Sequence, residues 1–190
     1  MCHSRQANFA LTLHEAQLNR GDQLAAWERV GMIRAAAAGP ERGRRGPDGG
    51  GRGQRPGGAP EAFGRGGRGS ERLLRFVTAD DPQAPLEARA RSYLAVNCSH
   101  CHTPDGGGNS PMNFDWQVPV ERMRAIGERP QHGDFGLNDA RIIAPGDAGR
   151  SVMLPRVALR GPGQMPPVGT RIPDAEGMRL LVEWIQSRRE

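Results

Sequence analysis

Apolar residues recur at helical spacing in four stretches of the chain, and no stretch alternates apolar and polar residues in strand fashion over a useful length. "ANFALTLHEAQLNR" places Phe9, Leu11, Leu13 and Leu18 in a first short helix. "QLAAWERVGMIRAAAA" follows, with Leu24, Trp27, Val30 and Ile33 at spacings of three and Asp22 in position to cap it. "PLEARARSYLAVNCSHCH" predicts a third helix that begins with Pro85 as its first helical residue. It puts Leu86, Ala90, Tyr93, Leu94 and Asn97 on one face. The fourth, "PDAEGMRLLVEWIQSRR", has Asp174 as N-cap and a stripe of Met178, Leu181, Val182 and Ile185. Arg188 and Arg189 suit the negative end of its dipole. Between the third and fourth helices, residues 103–173 are broken by Gly and Pro, with turn signals in "PDGGGN" and "APGD". The pattern is all-α, with short helices and long irregular loops.

Composition divides the chain. Residues 39–70 hold thirteen glycines and one large apolar residue, Phe63. Such a tract buries too little surface to offset its ordering entropy and reads as a disordered linker. The expected organisation is a helical segment over 1–38, the linker over 39–70, and a main domain over 71–190. The net charge of +5 rests on arginine alone, because the chain has no lysine. Seven of those arginines, against three acidic residues, lie in the linker, which therefore carries +4 of the total. The rest of the chain is close to neutral, so no basic folded face for nucleic acid is expected. An RNA-binding role through the Arg-Gly tract stays open as a rival, although such tracts usually interleave aromatics. No apolar run approaches the ~18 residues of a membrane helix, and "MCHSRQANF" has no signal-peptide pattern.

The chemistry is concentrated in "NCSHCH". The chain has three cysteines and five histidines, and two of each fall within Asn97–His102. Cys98-Ser99-His100-Cys101-His102 fits C-x-x-C-H, the attachment signature of c-type haem. Chance produces it in about one such chain in a thousand. Two thiols three residues apart at a helix end can both add across the vinyl groups of one porphyrin edge. The next histidine then lies under the iron as proximal ligand. The competing readings are a zinc site using Cys98, Cys101 and His100 or His102, a redox dithiol, and two free cysteines beside a surface histidine. Zinc lacks a second paired motif in the domain, and a dithiol lacks its usual βαβ setting.

A sixth iron ligand is offered by Met165 in "RGPGQMPPVG". A thioether suits low-spin iron, and His/Met ligation raises the reduction potential. Pro166 and Pro167 stiffen the loop, while Gly161 and Gly163 let it turn. His132, in "PQHGDFG", is the alternative ligand.

Helix, C-x-x-C-H, irregular middle, "MPP" loop and terminal helix together resemble the class I c-type cytochromes over residues 86–190. The resemblance implies a small helical fold with haem-wrapping loops, in which the first and last helices cross over the haem edge. Ala90 or Leu94 would then meet Leu181 or Trp184. "APGDAGRSVMLPRV" looks like the family's turn before its Met loop. The resemblance further implies electron transfer rather than catalysis, with Cys98 and Cys101 holding one haem c and His102 and Met165 ligating iron. A haem enzyme or sensor with an open iron is the rival. The macrocycle would also explain a thin core, since 86–190 has only Tyr93, Phe114, Trp116, Phe135 and Trp184 as aromatics and the mean hydropathy of the chain is −0.63.

A narrower resemblance links "EARARSYLAVNCSHCHTPDGGGN", "HGDFGLNDARIIAPGD" and "CHSRQANFALTLHEAQLNR…QLAAWERVG" to an uncharacterised bacterial group of predicted dihaem cytochromes. It implies export to the periplasm or another extracytoplasmic space and a redox partner such as an extracytoplasmic dehydrogenase of sugar-dehydrogenase type. In that group the N-terminal segment itself opens on C-x-x-C-H. Here Met1-Cys2-His3 retains its end, so Cys2 and His3 are candidates for a second haem. The expectation is that the chain is N-terminally truncated and that its signal peptide is missing; whether His14 or His132 contributes to a second site stays open.

Overall fold

The computed structural model describes residues 15–18, 22–33 and 75–189. They fall in two compact units, one within His14–Phe76 and one within Val77–Glu190. The linker expected over 39–70 lies outside the described residues.

The first unit contributes α1 (Glu15–Leu18) and α2 (Gln23–Arg29). Leu24 is buried, as its place in the stripe requires. Asp22 occupies the N-cap position, but its side chain makes no capping bond and instead accepts from Arg29 Nη2 at 3.4 Å. The helix is shorter than the apolar spacing predicts, because Gly31 turns the chain at φ +74°. Val30, expected on the stripe, is therefore 70% exposed.

In the second unit, α3 (Leu86–Asn97) and α5 (Ala175–Ser187) form the principal helix pair, and α4 (Met153–Ala158) packs on α5. The described residues contain no strand. Pro85 is the N-cap of α3 rather than its first helical residue. Ala90 and Leu94 face the core as expected, but Arg91 and Ser92, on another side of the helix, are buried too. The helix is wedged between α5 and two flanking segments. The Ser92 hydroxyl accepts the Val77 N–H at 3.2 Å, and Arg89 Nε donates to Ala79 O at 2.8 Å, which straps residues 77–79 along α3. Arg91 Nη2 donates to Trp116 O at 2.5 Å and also to Val118 O. A single buried guanidinium thus gathers the 116–118 loop onto the helix.

Asp174 caps α5 as its sequence predicts, accepting from Glu176 N at 3.1 Å and Gly177 N at 3.0 Å. The buried face is rotated from the predicted stripe. Gly177, Leu180, Leu181, Trp184 and Ile185 are buried, while Met178 and Val182 lie at its margins. The rotation follows from close packing at one point. An added Cβ on Gly177 would lie 2.2 Å from the Tyr93 ring, so only glycine lets α3 and α5 approach this closely. Ala90, Leu94, Leu181 and Trp184 all belong to the one core cluster. At the far end Arg188 lies over the Trp184 ring, 5.3 Å from its centroid, and pairs with Glu87 at 3.2 Å.

The middle of the unit satisfies its buried backbone without forming a sheet. Residues 141–143 run between two neighbouring segments. Gly127 N donates to Ile143 O at 2.8 Å, Ile142 N to Glu128 O at 2.7 Å, and Val152 N to Arg141 O at 2.8 Å. These are isolated parallel bridges, at Ile126–Ile143 and Arg141–Ser151. Ser151, fully buried, accepts Ala144 N–H and donates to Asp147 O, both at 2.9 Å. The rim of this region is pinned by Asp139, which pairs with Arg141 at 2.8 Å and Arg150 at 2.6 Å.

Candidate cofactor cavity

The helix α3 delivers the cysteine pair directly. Cys98 is its C-cap, and the Cys98 carbonyl accepts N–H groups from Cys101 at 3.2 Å and His102 at 2.9 Å. This tight turn fixes the three side chains relative to one another. The glycine run after it closes on the turn. Gly108 N donates to Cys101 O at 2.9 Å, and a Cβ at Gly106 would lie 2.4 Å from that same oxygen. A Cβ at Gly108 would stand 3.1 Å from His102 Nδ1. The absence of side chains at these positions therefore shapes the backing of the histidine.

His102 is buried, 8% exposed. Its ring meets Phe114 edge-on, with centroids 5.7 Å apart and planes at 77°, and its carbonyl accepts Phe114 N–H at 2.8 Å. Burial, with the neighbouring His100 adding, holds the imidazole below its ordinary pKa. The ring is thus neutral near pH 7, the form that ligates a metal. Nδ1 is buried with no hydrogen-bond partner. Cys98 and Cys101 form no disulfide, and each is half-buried. Burial, and then the proximity of Cys101, pushes the Cys98 thiol up to about 12. A thiol so little ionised is a poor redox nucleophile, which weighs against the dithiol reading.

Met165 arrives from the other end of the unit. Gly161 and Gly163 adopt φ +123° and +88°, the left-handed conformations that glycine supplies without strain. Gln164 braces the turn, accepting from Gly161 N at 2.7 Å and donating to Pro166 O at 2.9 Å. Met165 N donates to Arg156 O at 2.8 Å, which ties the loop to α4.

These elements enclose one cavity of about 780 Å³, lined by Cys98, Cys101, His102 and Met165 together. That volume lies within the ~300–1,000 Å³ of small-molecule and cofactor pockets. Ile142, Val152 and Met153 give it an apolar wall, and Tyr93, Phe114 and Val157 extend that wall. His132 is also on the lining, at an exposed position where Nε2 lies 3.1 Å from Asn109 O. Cys2, His3 and His14 lie outside the described residues. Among the described residues no three His, Cys, Asp or Glu side chains are grouped closely enough to hold a metal ion.

Several lining residues carried no sequence signal of their own. Arg156 and Arg160 sit four apart just before the Met loop, and both reach the cavity. Arg160 Nη2 donates to Thr170 Oγ1 at 3.0 Å and Nη1 to two nearby carbonyls, with no carboxylate partner among the described residues. Tyr93, on the helix face it shares with Ala90 and Leu94, packs against the core and also faces the cavity. Comparison with family models, with curated proteins and with solved structures finds no match for this chain. No helix among the described residues is long and apolar enough to cross a membrane.

Proposed function

We propose that the chain is an electron-transfer protein that carries haem c at Cys98 and Cys101, with His102 and Met165 as axial ligands. The observation that carries this reading is the shared cavity. Two thiols, a neutral buried imidazole and a thioether, drawn from distant parts of the sequence, line one largely apolar space of about 780 Å³. When bound, haem supplies a one-electron change at iron.

The residues divide the work. Cys98 and Cys101 would hold the haem as thioethers, each by addition of its S–H across a vinyl group, which needs no oxidant. His102, backed by Phe114 and Gly108, presents an imidazole. Met165 presents a soft sulfur that favours the reduced iron and raises the potential. Ile142, Val152 and Met153 exclude water from the ring. Arg160, a partly buried cation with no carboxylate partner among the described residues, would suit the two carboxylates of the macrocycle. With His102 and Met165 both given to the iron, haem would keep no open metal position for a substrate, and the reading favours electron transfer over catalysis. Because c-type haem is attached outside the cytoplasm, the reading places the protein in an extracytoplasmic space, taking electrons from a dehydrogenase there.

The test is an absorption spectrum of the chain made with the c-haem maturation system. Haem bands that survive denaturation and solvent extraction are expected. Their absence refutes the proposal and returns weight to a scaffold or RNA-binding role. Replacing Met165 by Ala leaves the haem attached and lowers the midpoint potential; an unchanged potential removes Met165 from the iron.

A further inference from the structure

We propose that Arg156 is the positioning residue for Met165, a clasp that holds the Met loop closed and so keeps small ligands off the iron. The inference rests on the haem reading given above. Arg156 lies in α4 and makes four separate connections. Its carbonyl accepts Met165 N–H at 2.8 Å. Its Nη1 donates to Gly163 O at 3.2 Å. Its Nη2 donates to His132 O and approaches Gly133 O at 3.5 Å. The face of its guanidinium lies 5.0 Å from the Phe135 ring centroid.

Two features make this a clasp rather than an ordinary surface arginine. Its bonds run to backbone carbonyls of two different loops, and no carboxylate among the described residues pairs with it. The planar fork of donors is spent on joining the 132–135 turn to the Met loop, a geometry that one flexible ammonium cannot reproduce. The Met loop also needs such a restraint. It contains no regular structure, and its backbone turns at two glycines in left-handed conformations. A thioether bond to iron is weak enough that loop freedom competes with it, so whatever restrains residues 163–165 sets how often the sixth position opens.

The experiment uses the full chain made with the haem maturation system, as wild type, Arg156→Gln and Arg156→Lys. In Arg156→Gln the haem stays covalently attached, but the sulfur–iron charge-transfer absorption of the ferric protein weakens. Affinity for added imidazole rises by at least about tenfold, the scale of one lost charged hydrogen bond. Arg156→Lys, which keeps one donor, falls between. Amide exchange on the same preparations shows Gln164 and Met165 exchanging about tenfold faster in Arg156→Gln, with Leu181–Ile185 unchanged. Wild-type absorption and imidazole affinity in Arg156→Gln overturn the proposal. So does faster exchange throughout α5, which would mean general destabilisation. If the wild type carries no covalent haem, the functional reading fails, and exchange at 164–165 still decides whether the clasp exists.

Discussion

Replacing Gly177 by alanine tests the packing that brings α3 and α5 together. Judged by intrinsic propensity, the change should stabilise α5, because glycine in a helix costs up to ~1 kcal/mol relative to alanine. The tertiary structure opposes it. The new Cβ would sit 2.2 Å from Tyr93 Cε2 and Cζ and 2.3 Å from its hydroxyl oxygen. A carbon–carbon contact is comfortable only near ~3.5–4.0 Å, so the ring must move by more than an ångström. It cannot do so freely, since it is packed against the core and contributes to the cavity wall. Overpacking of this kind costs roughly 1–3 kcal/mol. The net expectation is destabilisation by about 1–2 kcal/mol, measured as a lowered urea midpoint at unchanged slope. Tyr93→Phe should not rescue the variant, because the ring carbons remain. Tyr93→Leu in the Gly177→Ala background should recover part of the loss, giving a favourable coupling in a double-mutant cycle. A Gly177→Ala protein as stable as wild type would refute the reasoning and show that the two helices can separate at no cost.

Arg91→Met removes the charged donor shared by Trp116 O and Val118 O while keeping most of the stem; losing those two bonds should cost about 2–4 kcal/mol in urea unfolding, and a loss under about 0.5 kcal/mol would show that the bonds do not hold the loop. The chain has one tyrosine, so its ionisation can be followed alone. Burial first, and then the nearby Asp174 carboxylate, holds the Tyr93 phenol well above its ordinary value. The folded pKa being raised, the stability it contributes is full below pH ~10 and is lost as pH rises beyond it. Phenolate absorbance should therefore appear only above pH ~10 and together with unfolding, and Tyr93→Phe should flatten that alkaline loss; a phenolate forming near pH 10 in folded protein would refute the burial argument.

Much of the α5 end was legible because its signals are local. Asp174 and the first turn's N–H groups are neighbours in sequence, so the cap could be read and is present. Which apolar residues α5 buries was less legible. Leu180, Leu181, Val182, Trp184 and Ile185 cover more than half its circumference, and the choice between overlapping stripes is made by Tyr93 resting on Gly177 from another helix. The short α4 escaped notice because Pro155 in "SVMLPRV" reads as a breaker. Yet Pro155 is the third residue of α4, inside the first turn, where a missing N–H costs nothing. Arg91 was illegible for the opposite reason. An arginine on a helix counts as exposed by pattern, and its burial is offset by the carbonyls of 116 and 118 together with the charges of Glu87, Glu121 and Asp115. In the cavity, Cys98, Cys101 and His102 had to be together because they are contiguous. Met165 was proposed from its loop chemistry alone, and its presence on the same lining depends on α4 and the 161–166 turn.

The core and the cavity share residues, and this bears on what the cavity is for. Ile142 and Met153 are each 8% exposed and belong to the core cluster, yet both also line the cavity. Phe114 stands in the same double position, and the buried His102 lines the cavity beside it. A cavity placed at the margin of a core can hold a ligand without the fold depending on it. One whose wall is the core itself leaves that core one-sided until an apolar body completes it. Under the reading proposed here, attachment at Cys98 and Cys101 and completion of the core are one event. The linkage then extends to the sixth ligand. Val152 and Met153 lead into α4, α4 carries Arg156, and Arg156 holds the loop of Met165. On this reading, a change in how the wall packs would reach the sulfur through α4. Substitution of Val152 should on this view alter the ligation of iron as well as the stability of the fold, although its side chain offers the metal no donor.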